Sequence, residues 1–409
     1  MEINSGDTAF MLLSTALVML MTPGLAMFYG GMVRAKNVLN TILQSFFLLG
    51  LITIGWAVVG YSLAFGPDCG HAIGGLAYAF LAGVGADPNP DLAKTIPHIV
   101  FMAFHAMFAI ITPALVTGTI AERAKFGGLM LFFLLWQFLV YAPVAHWVWA
   151  PGGWLREMGA LDFAGGTAVH ILSAVSAAAL LVVIGPRIGH PHEPMPPHSL
   201  PLTMLGAGLL WFGWFGFNAG SALAANGVAA SAFVATHLAA AAATLSWAAM
   251  EWLRQGKPTA LGAASGCVAG LVAITPAAGF VAPMPAIVIG LLAGVVCYVA
   301  VSAKARLGHD DSLDVFGIHG VGGALGALLT GVFASTLVNA DGKDGLLSGN
   351  PQQVLVQLVA IGAIALFGFG ASLVLAKVCH SLVGLRVRAD SEIVGLDNTE
   401  HAERGYSYY

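Results

Sequence analysis

Apolar runs long enough to span a membrane follow one another along almost the whole chain, separated by short polar connections. A helix needs about 20 predominantly apolar residues to cross a hydrocarbon core of roughly 30 Å. On that rule the pattern predicts eleven spans: residues 8–33, 40–65, 97–120, 126–149, 163–186, 200–221, 227–253, 259–277, 284–304, 313–336 and 352–383. The connections then orient them. Arg34, Lys36, Arg123, Lys125, Arg187, Arg254, Lys257, Lys304 and Arg306 fall in or beside the odd-numbered connections. With Lys377, Arg386, Arg388 and Arg404 at the C-terminal end they make thirteen of the sixteen basic residues, leaving Lys94, Arg156 and Lys343 on the other side. Lys and Arg accumulate on the cytoplasmic side. The N-terminus is therefore expected outside and the tail inside a cell membrane, inner or plasma.

The expected fold is an all-α polytopic membrane protein built as two blocks of five spans plus one. Repeat one covers about 8–186, repeat two about 200–336, and an extra helix about 352–383, followed by a cytoplasmic tail at 384–409. Two equal blocks of five must have opposite topology, and inverted repeats place their site near the bilayer midplane where the repeats meet.

Composition agrees: 58% of residues are hydrophobic, only 9% are charged, and the mean hydropathy is +0.84. A formal charge of -4 without any long basic run excludes nucleic acid as a partner. The four cysteines, Cys69, Cys267, Cys297 and Cys379, show no CxxC spacing, so neither a disulfide framework nor a zinc site is implied. The N-terminus lacks a basic leader region, and the first apolar run is expected to remain as a span. Glycine is abundant, 52 residues in all, which suits close helix packing.

Against this background the polar residues inside spans stand out. The fifth span of each block carries one histidine and one aspartate, His170 with Asp162 and His319 with Asp314. Ionisable groups in a bilayer are costly and mark substrate or proton paths. Two neutral imidazoles can hydrogen-bond each other and still line a pore. Asp162 either accepts the first-turn amides of its helix or stabilises a cationic substrate, and Asp314 is expected to fix the start of the tenth span. No acidic cage is present, so a metal-ion or sodium carrier is not indicated. Aromatic surface takes its place: Phe104, Phe108, Trp149, Trp214, Phe215 and Phe217, with Ser221. Trp149 and Ser221 fall near outer span ends, where a ring face and a hydroxyl suit a small cation. Phe108 and Phe217 are expected to form a constriction deeper in. A weak cation site, an apolar gate and two histidines suit a species that enters charged and crosses neutral, as ammonium would.

Several motifs carry a family resemblance: "GLAMFYGGMVRAKNVLN" (24–40), "TGTIAERAKF" (117–126), "GALDFAGGTAVHI" (159–171), "GWFGFNAGSALAAN" (213–226), "GLVAITPAAGFV" (270–281), "DVFGIHGVGG" (314–323) and the tail from 384. Over nearly its full length the chain resembles the ammonium transporters of the Amt/Mep/Rh family, on the Amt side of bacterial and archaeal members. The resemblance implies a homotrimer with one pore per subunit, and no enzyme activity. It implies outer recruitment by Phe104, Trp149 and Ser221, a stacked gate of Phe108 and Phe217, and a pore lined by His170, His319 and Trp214. Asp162 resembles the carboxylate that supports recruitment or deprotonation. Methylammonium is a possible further substrate, no cofactor or metal is implied, and the tail is compatible with a PII-type nitrogen regulatory protein.

His105 departs from the resemblance, because well-known members are expected to carry glutamine or another non-titrating residue there. It either points into a helix interface or faces the vestibule, where it would titrate near neutral pH. The connection 185–201 holds His190, His192 and His198 among prolines and reads as a stiff exposed loop. An ammonium sensor signalling through its tail remains the alternative to a transporter. An intramembrane hydrolase is excluded by the lack of HExxH or GxSxG patterns.

Overall fold

The computed structural model describes residues 2–406, apart from the side chains of residues 305–307. The end of the expected tail, 407–409, and the side chain of Arg306 lie outside the described residues. Eleven apolar helical stretches are numbered in chain order: α1 Ser5–Met32, α2 Ala35–Phe65, α3 His98–Val116, α4 Phe126–Met158, α5 Gly166–Ile184, α6 Leu200–Gly220, α7 Gly227–Gln255, α8 Ala260–Ile274, α9 Pro283–Lys304, α10 Phe316–Phe333 and α11 Gln352–Val383. Ten of these are long and apolar enough to cross a membrane. α8 has only 15 residues, and the rest of the expected span 259–277 continues as turns.

Helix boundaries follow local chemistry. The Asn4 side chain accepts the amides of Gly6 at 2.8 Å and Asp7 at 3.1 Å, capping α1. Thr259 caps α8 by accepting Gly262 N, and Glu251 at the end of α7 accepts both the amide and the hydroxyl of Thr259, at 2.7 and 2.9 Å. α7 stops at Gly256, which takes the left-handed φ of 79° that glycine adopts without Cβ strain.

α1 packs along α6, and α7 lies against α8 and α9. Small residues permit this closeness. A Cβ on Gly24 would come within 3.0 Å of the Leu209 Cβ, and one on Gly323 of α10 would meet the Gly166 carbonyl at 2.8 Å and the His170 Cβ at 3.2 Å. The second approach brings α10 against α5 where both carry their histidines.

Beyond the helix ends, on the face rich in basic residues, buried charges tie the connections together. Glu122 receives Arg34 Nη2 at 2.8 Å and Arg187 Nη1 at 3.0 Å, while Arg187 Nη2 reaches Asp310 Oδ1 at 2.6 Å. Arg123, wholly buried, donates to the carbonyls of Thr119, Ala121, Gly185 and Asp310. The tail docks here: Glu392 accepts Ile188 N at 2.7 Å and Arg386 Nη2 at 2.9 Å, and Asp397 accepts the amides of Leu39 and Asn40. Burial alone would raise the Asp310 carboxyl, but the hydrogen bonds from Arg187 and the charges of Arg123 and Arg187 outweigh it and hold the group at about 2.

A folded-state value below the unfolded one contributes stability above the unfolded value and loses it as pH falls through the folded value. For Asp310 that contribution is on the order of 2 kcal/mol, lost from about pH 4 downward. Asp310→Asn also leaves two buried guanidinium groups short of a counter-charge, and is expected to destabilise the fold by about 3–5 kcal/mol near neutral pH. Thermal unfolding in detergent checks both parts: the gap between parent and variant narrows on acidification below about pH 4.

Candidate functional site

α5 begins with a broken start that one side chain repairs. Gly165 has φ 108°, a conformation glycine tolerates, and the chain then enters a wide π turn over Gly166–Ile171. The Asp162 carboxylate accepts five hydrogen bonds at this turn: Gly165 N at 2.9 Å, Gly166 N at 2.6 Å, Thr167 N at 2.8 Å, the Thr167 hydroxyl at 2.5 Å and Ala168 N at 3.1 Å. The amides that a helix start leaves unpaired are thereby satisfied within the membrane. The backbone carbonyl of Asp162 also accepts Trp149 Nε1 at 3.0 Å, so the same residue positions the indole. Gln357 of α11 pins the approach, accepting Leu161 N and donating to Leu161 O, both at 2.8 Å.

α10 repeats the arrangement, with one correction to expectation. Asp311, not Asp314, accepts the first amides of this helix, Val315 N at 3.2 Å and Phe316 N at 2.8 Å, together with the Thr119 hydroxyl at 2.6 Å. Asp314 turns away to ion-pair with Lys304 on α9. The signal was present in the spacing: Asp162 precedes His170 by eight residues, and Asp311 precedes His319 by the same eight. Asp314 looked better placed only because it adjoins the apolar run.

Each histidine sits in its π turn, His170 in Gly166–Ile171 and His319 in Phe316–Gly320. Their Nδ1 atoms lie 3.3 Å apart and the rings are 28° from parallel. One ring must donate and the other accept, so two neutral rings leave one Nε2 lone pair and one Nε2–H. His170 Nε2 is buried with no partner among the described residues. Trp214 lies flat against His170 at 5.4 Å, fixed by its Nε1 donating to the Thr275 hydroxyl at 2.9 Å. Around these groups runs an apolar lumen of about 10 Å³, space for roughly one water-sized molecule, walled by Leu25, Phe28, Ile111, Leu115, Leu210 and Val268.

Phe108 and Phe217 close one end of this lumen, stacked at 4.2 Å and 15°. Beyond them opens a cavity of about 600 Å³, lined by Phe104, His105, Phe108, Trp149, Asp162 and Ser221 among others. The Trp149 ring stands edge-on to Phe108 at 5.9 Å, and Phe104 packs on Phe108 at 4.9 Å. The Ser221 hydroxyl donates to Phe217 O at 2.9 Å, which leaves its oxygen lone pairs for a cationic guest. Of the two alternatives for His105, the wall of this cavity is where it lies. Phe215 does not join the site; it stacks on Phe233 of α7 at 4.1 Å. Sequence reasoning missed Thr275 and Gln357, which are ordinary polar residues until their partners are seen, and the aliphatic lumen walls, which resemble any other core position.

Bundled apolar helices around a narrow gated lumen define a multi-pass membrane protein of the transporter class. A family model described as "Ammonium Transporter Family" matches residues 9–406. The chain is 51% identical over 402 residues to an ammonium transporter of Bacillus subtilis, covering 98% of each, and 49% identical over 404 residues to the ammonium transporter Amt1 of Archaeoglobus fulgidus, covering 99% of this chain and all of that one. The fold superposes on the crystal structure of Saccharomyces cerevisiae Mep2 with a TM-score of 0.89 at 36% identity, over 95% of this chain and 88% of that one. A structure titled "Sensor Amt Protein" matches with a TM-score of 0.88 at 28% identity, over 97% and 98%. The chain belongs to the Ammonium Transporter Family.

Asp162→Ala would leave four backbone amides without acceptors in a dry environment. The expected loss is about 3 kcal/mol or more of stability. It is read by thermal unfolding and by faster hydrogen exchange at residues 165–168; unchanged exchange there overturns the capping role.

Proposed function

We propose that the protein conducts ammonium by recruiting the cation in the outer cavity and passing ammonia through the histidine-lined lumen. The observation that carries this reading is the stacked pair Phe108–Phe217, which separates a wet, carboxylate-bearing cavity from a lumen of about 10 Å³. Trp149 supplies a ring face and Ser221 an acceptor oxygen, beside Phe104. Asp162 adds a fixed negative charge behind them. Moving a full cation into the lumen would cost tens of kcal/mol by ion solvation alone, so losing the proton at the gate is far cheaper. Neutral ammonia, both donor and acceptor, then meets one Nε2 lone pair and one Nε2–H. The proton that ammonium loses is taken up by the free Nε2 lone pair, crosses the Nδ1–Nδ1 hydrogen bond by tautomer exchange and leaves from the Nε2–H of the other ring, which makes transport electrogenic. Transporter names among the relatives favour this reading over sensing.

The same reading includes a homotrimer, one pore per subunit, oriented with the N-terminus outside and the tail, as a docking place for a PII-type regulator, in the cytoplasm. His237 supports a neighbouring subunit. It is exposed partway along α7, against Trp211 at 5.4 Å, and an imidazole facing lipid is costly unless a protein surface covers it.

Solid-supported-membrane electrophysiology on proteoliposomes tests the proposal. Pulses of ammonium and methylammonium are expected to give transient currents, potassium none, and His170→Ala to lower the ammonium current about tenfold or more, as loss of one hydrogen bond to ammonia in transit together with half of the proton route would. Absence of any ammonium-specific current or flux removes the transport claim. Flux without net charge rejects the electrogenic form alone.

A further inference from the structure

The mechanism above gives no part to His105. Its Nδ1 lies 3.1 Å from the carbonyl oxygen of Phe101, one helical turn earlier on α3. A carbonyl only accepts, so Nδ1 carries the proton and, in the neutral ring, Nε2 carries the lone pair. No protein group bonds Nε2 among the described residues, and the residue, 9% exposed, forms part of the cavity wall. Rings hold it there: Phe101 at 4.1 Å and Phe65 at 4.5 Å, with Phe108 and Trp149 each at 5.9 Å. The lone pair therefore belongs to a ring clamped between the recruitment tryptophan and the gate.

The buried carboxylate of the cavity is already committed. Both oxygens of Asp162 are occupied by its five donors, so its charge is felt across the cavity while its lone pairs are spent. A small cation bearing several N–H groups needs acceptors as well as a field. Ser221 provides one.

We propose that His105 Nε2 is a further ligand of the outer site, accepting a hydrogen bond from ammonium. This rests on the recruitment reading above and deepens it. The charged groups facing the ring across the cavity and at its rim are Asp91, Asp162 and Asp341 against Lys94, Arg156 and Lys343, three of each sign. The rings in contact with it, those of Phe65, Phe101, Phe104, Phe108 and Trp149, bring no charge.

The experiment measures the external KM for ammonium in proteoliposomes near neutral pH, where the guest is the protonated cation. His105→Leu removes the acceptor, and KM is expected to rise about tenfold, with less change in the maximal current. His105→Gln restores an acceptor oxygen, and its KM is expected to stay within about threefold of the parent value. An unchanged KM in His105→Leu overturns the proposal, as does a KM in His105→Gln raised as far as in His105→Leu. A parent without ammonium-dependent current overturns the transport reading and this ligand with it; normal current with an unchanged KM in His105→Leu overturns this ligand alone.

Discussion

A polar group within hydrocarbon needs a partner inside the protein, and the rest of this structure is arranged around that requirement. A complete helix meets it unaided. A helix that starts part-way into the membrane cannot, because its first amides point at nothing. Asp162 and Asp311 each close such a start, with Thr167 and Thr119 adding hydroxyl donors to the same carboxylates. Two rigid helix starts follow, and each carries one histidine eight residues on. The lumen is thus a by-product of solving a backbone problem twice.

Close packing then determines what the lumen admits. Gly323 lets α10 reach the Gly166 carbonyl, and the π turns swing His170 and His319 toward each other. Trp214 closes over His170, held by Thr275 from the end of α8. Thr275 itself keeps helical dihedrals at the end of α8, so the helix sets where that hydroxyl stands. A larger residue at Gly323 would press on the Gly166 carbonyl and the His170 Cβ, and so on the separation of the rings.

Much of this was legible in the sequence. Apolar run length locates the helices to within a few residues, and the cost of an imidazole in a bilayer singles out His170 and His319 before any contact is known. Resemblance added Phe104, whose aromatic ring alone is indistinguishable from core. Asp314 shows where reading along the chain fails. Adjacency to the apolar run suggested a cap, whereas φ at Asp314 is 62° and the residue five before the first π-turn position, Asp311, is the one whose oxygens reach the amides. Partners such as Gln357 and Thr275 are fixed by tertiary geometry that no local pattern encodes.

The hydrogen bonding of Asp162 also bears on how charge is handled at the gate. A carboxylate receiving five donors has its lone pairs committed to its own helix start. Its charge still lowers the potential of the cavity, which would favour the arrival of a cation. Under the proposed mechanism field and hydrogen bonding are therefore separated: the saturated carboxylate attracts, and groups with an uncommitted lone pair bind. On the cavity side of Phe108 and Phe217 that description fits the His105 imidazole, and on the lumen side it fits His170 and His319. Phe108 and Phe217 divide two imidazole environments, one on the wall of the outer cavity and one dry, and under the proposed mechanism the proton parts from its nitrogen where the first gives way to the second.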